Sequence, residues 1–115
     1  IKGTVINSVL SPGVRVGKGA VIKDSAVLNN SIIGENVTIQ RCIIDKRVII
    51  GHNAFLGYGN DFTPNKEKPD LLVTGITVVE KGTVIPSDVQ IGKNCRIFKT
   101  ASFDEKAIPS GSTCK

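Results

Sequence analysis

The stretch that decides the fold lies between Val16 and Phe55, where V-G-K-G-A-V begins at Val16, I-G-E-N-V-T at Ile33 and I-G-H-N-A-F at Ile50. The phrase returns as I-G-K-N-C-R from Ile91. One six-residue phrase recurring four times in 115 residues marks a solenoid, in which each repeat is a unit stacked on its neighbours. Six residues at about 3.3 Å each make one short strand plus a corner, so three steps close a triangular coil of about 18 residues. The leading aliphatic residue points inward, and the Gly after it suits a corner that needs positive φ or close backbone approach. The fifth position is small or β-branched in Ala20, Ala26, Val37, Val48, Ala54, Thr77, Thr83, Val89 and Cys95, as a narrow interior demands. Coils stacked at about 4.8 Å pair their N–H and C=O groups between turns. The expected fold is all-β, a single-stranded parallel β-helix of hexapeptide repeats.

Outward from that stretch, Thr4 to Val9 reads as an opening hexad with Ser8 in the small position, followed by inward Leu10, Val16 and Ile22. Five-residue steps from Leu28 to Ile33 and from Ile39 to Ile44 tighten two corners, and three coils are complete by Ile50. The rhythm fails at Leu56. Residues 56–72, with Pro64 and Pro69 among mixed charges, read as a loop excursion, which costs little to close if its ends meet on adjacent coils. Hexads resume at Val73, Val79, Ile85, Ile91 and Ile97, giving four to five coils. The tail 98–115 loses the period, and Phe98, Phe103 and Ile108 are expected to cap the open end.

Composition bounds the function. One domain spans 1–115, and 22% charged with 40% hydrophobic residues argues against disorder. The net charge is +5, yet no Arg-rich run or aromatic ladder accompanies it, so small phosphorylated ligands fit better than nucleic acid. No apolar run reaches the length of a membrane span. Cys42, Cys95 and Cys114 have no metal or disulfide spacing, and Cys42 and Cys95 read as core residues in a reducing cytosol. The chain lacks Met and opens inside a repeat at Ile1, which reads as a domain whose upstream partner is missing.

One constellation carries a functional expectation. If Val73 takes the place after Leu56, the steps from Ile44 and Val79 lie on neighbouring coils, and Lys46 and Lys81 stack at one corner with Lys99 a coil further on. Stacked ammonium groups repel unless an anion lies between them. Two readings stand: solvated lysines with separated heads, or a phosphate or carboxylate site. His52 is the only histidine, too few for a histidine zinc site; it is a surface corner residue or a lone general base for acyl transfer. No catalytic set and no metal site is expected.

The runs G-T-V-I-N-S-V-L-S-P-G-V-R-V-G-K-G-A-V-I-K-D-S from Gly3 to Ser25, C-I-I-D-K-R-V-I-I-G from Cys42 and T-G-I-T-V-V-E-K-G-T-V-I-P from Thr74 resemble the C-terminal domain of the glucose-1-phosphate adenylyltransferase (ADP-glucose pyrophosphorylase) family. The resemblance covers residues 3 to 97. It implies a left-handed coil, an exception to the usual right-handed crossover. It also implies an upstream nucleotidyltransferase domain making ADP-glucose from ATP and glucose 1-phosphate with Mg2+ for glycogen or starch synthesis. The family is commonly tetrameric and cytoplasmic, and this domain serves assembly and allosteric control, with no cofactor of its own. Activator-binding lysines of the plant and cyanobacterial branch fall on Lys46 and Lys81. The alternative is a hexapeptide-repeat acyltransferase trimer with His52 as base and acyl-coenzyme A between subunits.

Overall fold

A computed structural model of the chain describes residues 3–59, 61, 63–67, 75–101, 103 and 106–114. The first coil is β1 (Thr4–Ile6), β2 (Val9–Leu10) and β3 (Arg15–Val16); the second is β4 (Val21–Lys23), β5 (Ala26–Val27) and β6 (Ile32–Ile33). The third is β7 (Thr38–Gln40), β8 (Cys42–Ile44) and β9 (Ile49–Ile50). The fourth is β10 (Phe55–Leu56), β11 (Thr77–Val79) and β12 (Val84–Ile85), with the excursion between its first two strands. The fifth holds β13 (Gln90–Ile91) and β14 (Arg96–Ile97), and the sixth β15 (Ala107–Ile108) and β16 (Thr113–Cys114).

These strands form three parallel sheets, ordered β1-β4-β7-β10-β13-β15, β2-β5-β8-β11-β14-β16 and β3-β6-β9-β12. Each sheet is one wall of a β-solenoid, here called the first, second and third. Among the described residues there is no helix, and hence none long and apolar enough to cross a membrane.

Aliphatic columns fill the prism. Ile22, Ile39, Leu56 and Ile91 stack in the first wall, Val27, Ile44, Val79 and Ile97 in the second, and Ile33, Ile50 and Ile85 in the third. All are at most 1% exposed. Each such side chain contributes about 1.5–3 kcal/mol of transfer free energy, so these columns hold the spiral together.

Three details differ from the hexad count. The inward residue of the second coil is Val27, fully buried, while Leu28 is only half-buried; the five-residue step therefore runs from Ile22 to Val27, and the step from Ile39 to Ile44 stands as expected. The small position beside it is Ser25, 7% exposed, rather than Ala26. A coil in the uninterrupted part takes 17 residues, as the register Thr4↔Val21 and Val21↔Thr38 shows.

The hydroxyls at small positions explain why polar residues are admitted there. Ser25 Oγ donates to Lys23 O at 2.8 Å and accepts from Cys42 N at 3.0 Å, and Ser31 Oγ joins Asp45 O and Val48 N at 2.7 and 3.1 Å. Such hydroxyls pair main-chain groups that the corner would otherwise orphan. Among the described residues no buried side-chain N or O lacks a partner.

The corner glycine acts through contact rather than through φ. A Cβ on Gly34 would lie 2.8 Å from Ile50 O and 2.9 Å from the carbonyl carbon of Gly51. Positive φ falls two residues later, at Asn36 (58°), Asn53 (59°) and Asp88 (63°), where short polar side chains tolerate the left-handed region.

At the far end the spiral is longer than the hexads indicated. Leu56 is still a buried rung and Val73 lies outside the described residues; the first described rung beyond the excursion is Val79. The tail adds a sixth coil, since Ile91 pairs with Ile108 and Ile97 with Cys114 in parallel register. Phe103 packs half-buried on the core.

Candidate functional site

The corner between the second and third walls is built by the links from β8 to β9 and from β11 to β12. Ile44 pairs with Val79 and Ile49 with Val84, so the intervening residues superpose in order. The amide of Gly82 donates to Lys46 O at 2.9 Å, which seats Lys81 beside Lys46 on adjacent turns at the sheet spacing of about 4.8 Å. The stacking expected from the coil count is therefore present, although the excursion separates Ile43 from its partner Val78.

Lys99 joins them from the fifth coil, because Val79 pairs with Ile97. Its stem passes 3.5–3.9 Å from where a Cβ on Gly82 would stand. That is ordinary contact distance, so Gly82 is required here by its φ of +77° rather than by crowding.

Lys46, Arg47, Lys81 and Lys99 are all exposed. The acids beside them are Asp45 and Glu80. Asp45 Oδ1 is turned onto its neighbour's backbone, accepting from Lys46 N at 2.7 Å. Among the described residues no ion pair neutralises the three lysines. Four cations against two acids on one edge make an electropositive corner that can take a small anion by charge and by N–H donation.

His52 sits on the opposite side of the third wall, at the corner leading to β10. It is exposed, its Nδ1 is 3.1 Å from Asn53 Nδ2, and its carbonyl accepts from Asp88 N at 3.0 Å. Nothing among the described residues orients the ring as a base beyond this amide.

Cys42 and Cys95 are core, at 1% and 0% exposure. Burial pushes the Cys42 thiol up to about 12, and raises Cys95 and Cys114 for the same reason, so these sulfurs are neutral packing groups. No group of three or more His, Cys, Asp or Glu among the described residues could hold a metal.

Sequence reasoning missed a buried polar clasp at the root of the excursion. Lys93, only 6% exposed, donates from Nζ to Gly57 O at 2.9 Å. Asn65, fully buried, donates to Asn94 O and Ser112 O at 3.0 and 3.1 Å and accepts from Glu67 N at 3.0 Å. Asn94, also buried, accepts from Gly75 N at 2.7 Å and donates to Thr63 O at 3.2 Å. The clasp ties both ends of the excursion to the fifth and sixth coils. Asn94 occupies the fourth place of its hexad and shares the positive φ found at Asn36 and Asn53; nothing in the sequence marked Lys93.

The family of GlmU-like C-terminal hexapeptide domains matches residues 1–79, more than half of the chain. This chain belongs to that hexapeptide family. A glucose-1-phosphate adenylyltransferase of Acetivibrio thermocellus is 51% identical over 105 residues, 91% of this chain and 24% of that protein. Proteins of the same name from Thermomicrobium roseum and Thermotoga neapolitana are 50% and 46% identical over 79% and 96% of this chain. The chain spans about a quarter of the length of these curated relatives. A solved acetyltransferase domain of PglB from Neisseria gonorrhoeae FA1090 covers 95% of this chain and is itself covered over 53%, at 21% identity and a TM-score of 0.30, a likeness too weak to carry fold or function.

Proposed function

We propose that this hexapeptide coil is the assembly and regulatory portion of a glucose-1-phosphate adenylyltransferase, and that the Lys46–Lys81 corner binds a small phosphorylated effector. Three relatives at 46–51% identity bear that name. In this reading the conversion of ATP and glucose 1-phosphate to ADP-glucose and pyrophosphate, with its Mg2+, belongs to a nucleotidyltransferase domain outside the 115 residues. The coil contributes no catalytic group, and the parent is a cytoplasmic homotetramer.

The observation that carries the effector reading is the stack itself. Two ammonium groups on consecutive turns, joined through the Gly82–Lys46 hydrogen bond and flanked by Lys99, repel one another in the free protein. A bound phosphate removes that repulsion, so anion binding and an ordered corner favour each other.

The test is titration of the chain with 3-phosphoglycerate, fructose 1,6-bisphosphate and inorganic phosphate by calorimetry. Saturable, salt-sensitive binding weakened about tenfold or more in Lys46→Ala and in Lys81→Ala is expected. Binding unchanged in both variants removes the site assignment while leaving the fold intact. Assembly is tested by sedimentation of the parent enzyme with and without these residues, tetramer loss being the expected result.

A further inference from the structure

A second site lies on another wall. Where the excursion leaves β10, a cleft of about 470 Å3 opens over β13 and β15 and is lined by Tyr58, Asp61, Gln90, Ile108, Pro109 and Ser110 among others. Its size falls in the range of small-molecule sites, and apolar walls with a few converging polar groups are their usual make-up. It is separate from the Lys46–Lys81 corner, which joins the other two walls.

The lining is set before any ligand arrives. Tyr58 is 47% exposed, yet its ring stands edge-to-face on Phe55 with centroids 5.2 Å apart and an interplanar angle of 88°. The amides of Gly57 and Tyr58 both donate to Ile91 O at 2.8 Å. Behind them the buried Lys93 holds Gly57 O. Burying an ammonium is costly unless it is well paired, so this clamp fixes the chain from which the ring projects. A fixed ring loses little freedom when a ligand stacks on it.

The polar groups define the ligand. Asp61 Oδ1 accepts from Thr63 Oγ1 at 2.6 Å and from Thr63 N at 3.0 Å, which keeps the carboxyl below its ordinary value, and among the described residues no donor takes Oδ2, which can accept from a ligand. Gln90, exposed on β13, offers both a donor and an acceptor. Asp61 is the only charged side chain among the described residues of the lining, so a phosphate or carboxylate is disfavoured there. A bare cation would use the carboxylate but not the Gln90 donor, and one aromatic ring is no cage for it. A neutral pyranose uses everything present: its C–H face lies on the apolar Tyr58 ring, its hydroxyls donate to Asp61, and they exchange hydrogen bonds with Gln90.

We infer that this cleft is a saccharide-binding site, in which Tyr58 stacks on a neutral sugar ring that Asp61 and Gln90 orient. Tyr58 is the only tyrosine of a chain without Trp, so intrinsic fluorescence reports on this one ring. Adding maltotriose to the chain is expected to change that fluorescence saturably. Calorimetry should show the binding lost in Tyr58→Ala and weakened about tenfold in Asp61→Asn, with circular dichroism unchanged. Should Tyr58→Ala fail to fold, Asp61→Asn and Gln90→Ala carry the test. The proposal is overturned by a flat response to maltotriose and cellotriose up to about 20 mM, beyond the millimolar range expected of such a site. It is equally overturned by undiminished binding in the variants, or by a response to L-argininamide with none to either saccharide.

Discussion

Gly82 donates its amide to the carbonyl of Lys46 across 2.9 Å, and this bond restores the lysine stack after an excursion that separates the two turns in sequence. The lysines thus share an edge by backbone register rather than by side-chain choice. Replacing one head group should then alter the chemistry of the edge without moving it. Lys81→Arg is expected to keep phosphate binding within about threefold, whereas Lys81→Glu pairs with Lys46 and weakens it more than about tenfold. Calorimetric affinities at two salt concentrations check this, the difference between variants shrinking as salt screens the edge.

Two corner residues separate close approach from backbone conformation. Gly34 has ordinary φ but faces Ile50 O within 2.8 Å of any added Cβ, so Gly34→Ala must push two coils apart and is expected to destabilise by about 1–3 kcal/mol. Asn36, at φ 58°, has room but a left-handed backbone. Asn36→Ala should cost about 1–2 kcal/mol and Asn36→Gly close to nothing. Urea unfolding of the three variants gives the ranking; equal costs for both alanine variants and for Asn36→Gly would contradict it.

The clasp predicts coupling between the excursion and the end of the spiral. Asn65→Ala removes the donor to Asn94 O and Ser112 O and the acceptor for Glu67 N, and buried groups left without partners cost about 1–3 kcal/mol each. Asn94→Gly keeps the positive φ while removing the side-chain bonds to Gly75 N and Thr63 O. Both are expected to speed amide exchange of Glu67, Gly75 and the β16 strand together, with the first three coils unchanged. Exchange confined to the excursion would show that the clasp does not reach the sixth coil.

Much of this was legible because the period is set by backbone length and strand spacing, which any sequence of aliphatic rungs reveals. The rungs at Ile33, Ile39, Ile44 and Ile50 needed only counting. Choosing between Val27 and Leu28 did not, since both are aliphatic and a five-residue step can be cut at either side; the hydroxyl of Ser25, which accepts Cys42 N, decides it in the structure. The sixth coil was hidden because the hexad phrase does not recur between Ile97 and Ile108, so no count carries the register across that stretch; only the pairing of Ile91 with Ile108 and of Ile97 with Cys114 reveals it. The lysine stack was readable since register follows from counting once the excursion is treated as a bulge on one corner. The clasp and the cleft at Tyr58 were not, because they depend on how the excursion folds back, which no period encodes.

The interior thiols give the chain an alkaline limit. Burial raises Cys42 from 9.0 in the unfolded chain to about 12 in the folded one, because the thiolate cannot be solvated between coils. Below pH 9 both states hold the proton and stability is unaffected. Between 9 and 12 the unfolded chain releases it and the folded chain does not, so stability falls as pH rises, by about 1.4 kcal/mol per unit for this one group. Cys95 and Cys114, also raised, add in the same direction. Stability measured by urea unfolding is therefore expected to be level from pH 7 to 8.5 and to decline steeply above 9.5. Cys42→Ala, although less stable at pH 7 through lost packing, should show a shallower decline than the parent chain. Parallel declines in the two proteins would mean that Cys42 ionises as readily folded as unfolded, and that the coil interior at this corner is open to water.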